Sequence, residues 1–321
     1  MMVEAERIAI IGSGMAGLAC ARRLTDAGYA PIVFDKGRGI GGRLATRRTP
    51  DGRQFDHGAQ YINATVPRFT TLLNEAETAG AAALWDDGTE RRHVVGTPGM
   101  TGLANYLARG LEIRQGVEVV ALRETKPGWT VTLADGAERV DRVVVTVPAP
   151  QLSNLLGPVH PMSRDVAGVR LDPCLTLMAA FDPEAPQPFR TRADPDTPLA
   201  WIAQDSSKPG RQVPACWVAQ ASPVWSTKHL ELGPEALVAL MVPMLSEQLG
   251  TEARNVRFAA VHRWRYARVA VPLGHPFARD ASCTLYAGGD WCLGARVEAA
   301  WISGDAIAQD ILALMDTRRM P

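Results

Sequence analysis

Apolar positions near the start of the chain come in a short unbroken run and then change period. Ile8–Ile11 has no polar member and the length of a buried strand, and Leu18, Ala19, Ala21, Leu24 and Ala27 follow at helical spacing. Gly28 suits the helix stop, and residues 31–35 resume as a strand, so the opening predicts a parallel βαβ unit. Further helical patterns occupy 66–79, 99–110 (Met100, Leu103, Leu107), 234–249 and 297–315, the last with Ala300, Trp301, Ile307, Ile311 and Leu314 on one face. After a stretch 112–122, residues 129–133 and 139–147 alternate with period two around an Ala-Asp-Gly turn and predict a small antiparallel sheet, and 143–148 is a buried strand ended by proline. Beyond Ala149 the β-like runs lengthen (174–181, 199–203, 215–221), with 182–198 reading as a proline-rich surface loop. Residues 284–290 are a strand entering a glycine-bearing loop.

Candidate chemistry begins where the first strand meets the first helix. Gly12-Ser13-Gly14-Met15-Ala16-Gly17 is a phosphate-binding turn for a dinucleotide. The first glycine allows the tight turn, the second lets a pyrophosphate approach the backbone, and the third lets helix and strand sit close. The helix N-terminus offers free N–H groups and a positive dipole end to the anion. Asp35 lies 35 − 17 = 18 positions after the last glycine, where an acidic group grips a ribose hydroxyl. The turn alone fits NAD as well as FAD. Lys36-Gly-Arg-Gly-Ile-Gly-Gly-Arg43 is too glycine-rich for a regular element and reads as a wrapping loop, with Arg43 able to set a guanidinium on a phosphate. The segment Phe55-Asp-His-Gly-Ala-Gln-Tyr61 is short, polar and aromatic, and could carry His57, Gln60 or Tyr61 into a site.

Composition narrows the class. At 321 residues the chain is long for one core and suggests two domains. Lys+Arg 34 against Asp+Glu 34 gives no global field to recruit nucleic acid or an acidic membrane. The five cysteines are scattered, without a Cys-x-x-Cys pair or a nearby histidine cluster, so neither a metal site nor a disulfide framework is indicated. A reducing cytoplasm is the simplest location. Glu4, Glu6 and Arg7 precede an apolar run too short for a signal peptide, and later apolar stretches are broken well short of a membrane span.

Three marks then agree: the first turn, Gly41-Gly42-Arg43 shortly after the acidic position, and Gly289-Asp290 before a terminal helix. Together they resemble the flavin-containing amine oxidase superfamily. The renalase-like branch is the closer likeness, through Ala-Thr-Arg-Arg after the loop, Asp56 to Tyr61, Gly-x-x-Gly-Met-x-x-Leu around Met100, and Trp217 to Ser226. His262-Arg-Trp-Arg-Tyr-Ala and Arg296 to Gly304 add to it, so the likeness runs over nearly the whole chain. One departure stands out: Gln220-Ala-Ser occupies the place where such chains often have His-Ala-Ser.

The resemblance implies an α/β fold as in p-hydroxybenzoate hydroxylase and amine oxidase-like flavoproteins. A discontinuous Rossmann-type domain (1–65, 97–150 and 283–321) would hold non-covalent FAD, and an α+β domain on a mixed sheet (66–96 and 151–282) would hold substrate. It assigns residues 12–17 to the pyrophosphate, Asp35 and Lys36 to the adenosine end, and Gly41, Gly42 and Arg43 to the phosphates. Val119 goes to the adenine end, Gly289 and Asp290 to the ribityl chain, and Val297 to a backbone contact near the flavin carbonyl. His57, Gly58, Ala59, Gln60 and Tyr61 would border the flavin.

His57, Gln60, Tyr61, His262 and Trp264 are the catalytic candidates, although core packing accounts equally well for Trp264 and Tyr266, and a satisfied strand histidine for His262. Trp217 and Trp225 read as framework, and Arg296 with Glu298 as a surface ion pair. Many flavin amine oxidases hold a lysine near the flavin. Here Lys36, Lys126, Lys208 and Lys228 are the only lysines and none has a suitable strand context, Lys208 standing before Pro209-Gly210. The expected activity is hydride transfer from a small reduced substrate to FAD N5, with oxygen as acceptor and hydrogen peroxide as product. The resemblance implies 2- and 6-dihydro isomers of NAD(P) as substrates. Oxidation or desaturation of another small amine or cyclic compound is the alternative, and a non-catalytic flavin-binding protein is an alternative of another class.

Overall fold

In the computed structural model, which describes residues 6–319, the apolar runs of the first half pair side by side. Glu4 lies outside the described residues. Ile8–Ile11 is flanked in parallel by Ile32–Asp35 and Arg142–Val145, with Ile10 opposite both Val33 and Val144. Glu112–Gln115 extends the sheet beside Ile32–Asp35, and Leu285–Ala287 extends it beside Arg142–Val145, both parallel. Ala278–Arg279 closes one edge antiparallel. Strands buried on both faces must be apolar throughout, which is why this part of the sequence shows runs rather than alternation. The stretch 139–147, expected as one arm of the antiparallel sheet, divides: Gly136–Val140 joins Trp129–Leu133 and Val119–Glu124 in the small sheet, and Arg142–Val145 crosses into the parallel one.

By contact the chain forms two units. The first takes the residues up to Gly42, Ala104–Arg170 and Val269 onward, and the second takes Arg43–Leu103 and Leu171–Arg268. These bounds differ from the expected ones at four places. Residues 43–65 and 97–103 belong to the second unit, and 151–170 and 269–282 to the first. The glycine-rich loop tied 43–65 to the phosphate turn in the sequence. In the structure, Thr46–Arg48 and Gln54–Asp56 form their own antiparallel pair, and Phe55 packs on Met178, Ala180, Cys216 and Val218.

In the first unit, helix Met15–Asp26 and helix Val297–Arg319 lie together on the sheet. Cys20, Ala21 and Leu24 meet Ile307, Ala308 and Ile311 over Ile8, Ile10 and Val144. The approach is close enough that a Cβ on Gly304 would stand 2.0 Å from the Ala16 carbonyl oxygen.

The second unit is built on Arg170–Phe181, Cys216–Gln220, Trp201–Gln204, Thr191–Ala193 and the long strand Val256–Val271. Period two sorts its faces. Leu175, Leu177, Ala179, Trp217 and Ala219 pack under helix Pro234–Leu249 through Leu237, Met241 and Leu245. Met178, Ala180, Cys216, Val218, Phe258 and Ala260 face the other way.

Candidate functional site

The glycine turn of the first unit has the geometry its spacing demands. Gly12 has φ +107° and donates to the Phe34 carbonyl at 2.8 Å. Gly14 caps the first helix with extended backbone and no side-chain cap, and a Cβ built on it meets nothing within 4 Å. A Cβ on Gly17 would fall 1.9 Å from the Gly12 oxygen. Gly14 therefore opens outward while Gly17 is closed against the strand. Gly41 bridges to Gly14 and donates to the Ser13 carbonyl at 2.9 Å, so the second glycine-rich loop lies along the first turn. Open space over Gly14, uncapped helix N–H groups and no acidic residue in the first helical turn together fit a dinucleotide diphosphate.

Around that turn the other assigned residues fall as follows. Asp35 accepts from Ser13 N and Oγ, both at 2.6 Å, through one oxygen and from Gly37 N at 2.7 Å through the other. Oδ1, which among the described residues accepts only from Gly37, keeps a second lone pair, so a ribose hydroxyl could add there without displacing these bonds. Val117 donates to the Asp35 carbonyl, which brings the start of Val119–Glu124 to this end of the sheet, with Val119 buried. Lys36 is exposed and 3.7 Å from Glu118. Gly289 donates to Ser303 Oγ of the last helix at 2.9 Å, and Asp290 is buried in the turn that follows. Val297 begins that helix. Arg296 stands 3.7 Å from Glu298, but the pair is only half on the surface, because Glu298 is buried in the first helical turn.

All five catalytic candidates lie in the second unit, three of them on one segment. The face of the sheet that carries Phe258 and Ala260 continues to His262 and Trp264, and the face that carries Cys216 and Val218 continues to Gln220. Residues 55–61 run over this face. Trp264 Nε1 donates to the His57 carbonyl at 2.8 Å, and Gln220 Nε2 donates to the Gly58 carbonyl at 2.7 Å. The His57 ring stacks on Trp264 at 5.4 Å and meets His262 at 4.5 Å between centroids. Gly58 admits no side chain, since its Cβ would stand 2.0 Å from the Arg43 carbonyl oxygen, which already accepts from Ala59 N. Arg43 Nη1 donates to the Ala267 carbonyl at 3.0 Å. Trp217 is fully buried in the core beneath helix Pro234–Leu249, with Trp225 packed against the same cluster, as framework residues.

Both histidines are held neutral. Burial, with His262 and Arg47 nearby, pushes His57 down to about 4 against the opposing charge of Asp56. Burial and Arg47 likewise lower His262. His57 Nδ1 is buried with no hydrogen-bond partner among the described residues, so the imidazole keeps polar capacity that the protein does not use.

Tyr61 turns to a second group. It stacks on His93 with centroids 3.8 Å apart and lies 5.6 Å from Trp201. His93 Nδ1 sits 2.8 Å from the buried Asp87 carboxylate, which hydrogen bonds from Thr89 and His93 keep below the usual range despite burial. Nothing in the sequence had marked His93.

Lys208 is the larger surprise, because Pro209-Gly210 reads as an exposed turn and the lysine is fully buried. Its Nζ donates to Asp205 Oδ1 at 2.6 Å, Asp56 Oδ2 at 3.2 Å and Gln60 Oε1 at 3.3 Å. Arg211 also pairs with Asp56. Two carboxylates thus face two cations out of water. Burial opposes the Asp56 charge, yet Lys208, Arg211 and the Met100 N–H hold its carboxyl well below the usual range, while burial raises Asp205. The spacing of Asp205 and Lys208 by three was the available signal, since residues three apart on one turn can meet.

Comparison with known proteins bears on the family and the fold. The model of the flavin containing amine oxidoreductase family matches residues 75–312, and that of the NAD(P)-binding Rossmann-like domain matches 10–76. Renalase from Mus musculus is 26% identical over 296 residues, covering 82% of this chain and 85% of its own. A 15-cis-phytoene desaturase from Synechococcus elongatus is 38% identical, but over only 69 residues, 22% of this chain and 15% of its own. Among solved structures, a protoporphyrinogen oxidase-like protein from Exiguobacterium sp. 255-15 superposes with a TM-score of 0.77 at 15% identity, covering 97% of this chain and 100% of that one. That likeness bears on the fold. Among the described residues no helix is long and apolar enough to cross a membrane.

Proposed function

We propose, from the premise that this chain belongs to the flavin containing amine oxidoreductase family, that it oxidises small dihydronicotinamides, the 2- and 6-dihydro isomers of NAD(P). Membership makes the chain an FAD-dependent oxidoreductase on a small-molecule substrate. Bound FAD supplies a two-electron acceptor for hydride, and oxygen takes the electrons on as hydrogen peroxide.

The protein's part is to bind and orient. Residues 12–17 with Gly41, Gly42 and Arg43 would hold the diphosphate, and Asp35 the ribose. Gly289, Asp290 and Val297 would meet the ribityl and flavin end. His57, His262 and Trp264 would present uncharged ring faces to the substrate. Hydride loss from a dihydronicotinamide leaves an aromatic cation, which such faces favour.

The observation that carries the reading is Lys208. It is the one buried lysine of the four, and its three N–H donors are used inside the protein, which argues against its serving a flavin-bound water as the lysine of many flavin amine oxidases does. Similarity to renalase over 82% of the chain supports the substrate class.

Amine oxidation is the second reading, favoured by the family description and by a match to an L-amino acid dehydrogenase from Synechocystis sp. over 21% of the chain. Anaerobic mixing separates the two. 6-Dihydro-NAD is expected to bleach the bound flavin and benzylamine or L-amino acids to leave it oxidised; the reverse pattern overturns the proposal.

A further inference from the structure

Three of the proposed site side chains ride on residues 57–61, a stretch with no helix or strand of its own. Its backbone is instead held by side chains. Gln60 Nε2 donates to the carbonyls of Asp56 at 2.5 Å and Gly58 at 3.1 Å, Trp264 to that of His57, and Gln220 again to Gly58. The Gln60 contacts work in one amide orientation only, with Oε1 turned away from those carbonyls. Lys208 Nζ is the donor that receives it, 3.3 Å away. A flipped amide would set NH₂ against an ammonium and its oxygen against two carbonyl oxygens, so every contact would become repulsive.

We infer that Lys208 is a positioning residue of the site: from its charge-balanced seat among Asp56, Asp205 and Arg211 it orients the Gln60 amide, which pins the carbonyls of Asp56 and Gly58 on either side of His57 and so seats His57 against Trp264 and His262. Catalysis enters only through the proposal that this segment borders the flavin, and the test reads His57 itself.

Simple removal of Lys208 would leave two buried carboxylates facing one guanidinium, an imbalance that endangers the fold for reasons unrelated to positioning. Asp205→Asn/Lys208→Met restores the balance, since Asp56 keeps Arg211. Histidine-resolved NMR titration of the FAD-loaded protein reads the outcome, and the groups facing His57, namely His262, Asp56 and Arg47, are all retained. With the Gln60 amide released, the imidazole is expected to leave its buried seat and titrate near 6.5 instead of about 4. A folded double variant whose His57 still titrates near the wild-type value overturns the inference and leaves Lys208 a charge-balancing residue.

If the double variant does not fold, Gln60→Met decides. It keeps all four charges and removes only the amide through which Lys208 acts. The same rise in His57 is expected there, and an unmoved His57 refutes the positioning role. Because the titration needs no turnover, a failure of the substrate proposal leaves this result readable.

Discussion

Replacing His57 with asparagine removes a buried imidazole whose cost appears only in acid. In the folded protein it titrates at about 4, against 6.5 for a free histidine. Above about pH 6.5 the ring is neutral in both states and contributes no pH dependence. As pH falls through 6.5 the unfolded chain takes up a proton that the folded protein refuses until about 4, so stability is lost over that window. Between about pH 7.5 and about pH 5 the loss works out to about 2 kcal/mol, from about 1.36 kcal/mol per unit applied to the two proton-binding curves. His57 is 8% exposed, so solvent screening does not shrink this figure. His262, lowered in the same direction, adds its own term in both proteins and cancels in the comparison. Urea unfolding at the two pH values, followed by tryptophan fluorescence at fixed saturating FAD, gives the difference. His57→Asn is expected to lose about 2 kcal/mol less than the wild type on acidification. Equal losses in the two proteins, or a His57 that titrates near 6.5 by NMR, would refute the buried neutral imidazole.

Two glycines of the phosphate turn separate binding from folding. Gly14→Val is expected to fold with a normal melting temperature and emerge colourless, because its Cβ meets no protein atom within 4 Å but would stand where the diphosphate is proposed to lie; full flavin content would remove the turn from the site. Gly17→Ala is expected to lower the melting temperature even without flavin, since its Cβ would lie 1.9 Å from the Gly12 oxygen, and an unchanged melt would contradict that packing. Arg43→Ala is expected to weaken FAD retention on dialysis, with unchanged occupancy arguing against a phosphate contact.

Local patterns were readable wherever one element's neighbours are close in sequence. The first βαβ unit, the glycine turn and helix Pro234–Leu249 stand where periodicity and glycine placement put them, because burial on a known face fixes each. The long strand Val256–Val271 was legible only in part, through His262, since Arg257, Arg263 and Arg265 share a face with Ala259 and Val261 and blur the alternation. Lys208 could not be found that way. A charged residue before Pro-Gly looks solvated, and the nearby Asp205 does not by itself announce burial until Asp56 arrives from about 150 positions away. The contacts of Gln220 and Trp264 on the 57–58 carbonyls share that non-local origin. Residues 43–65 were placed with the wrong unit for a similar reason, as glycine content reports flexibility and not the core into which Phe55 will go.

The close seat of Gly304 on Ala16 bears on how the molecule is made. The glycine turn is synthesised well before its sheet is complete, because Leu285–Ala287 comes 285 − 11 = 274 positions after Ile11 and the covering helix later still. At about 5 to 20 residues per second, that interval is roughly 15 to 55 s. During it Cys20, Ala21 and Leu24 lack the surface that buries them, and by its end every segment of the second unit has been synthesised. The second unit's segments thus all precede, in the order of synthesis, the strand and helix that close the core of the first unit.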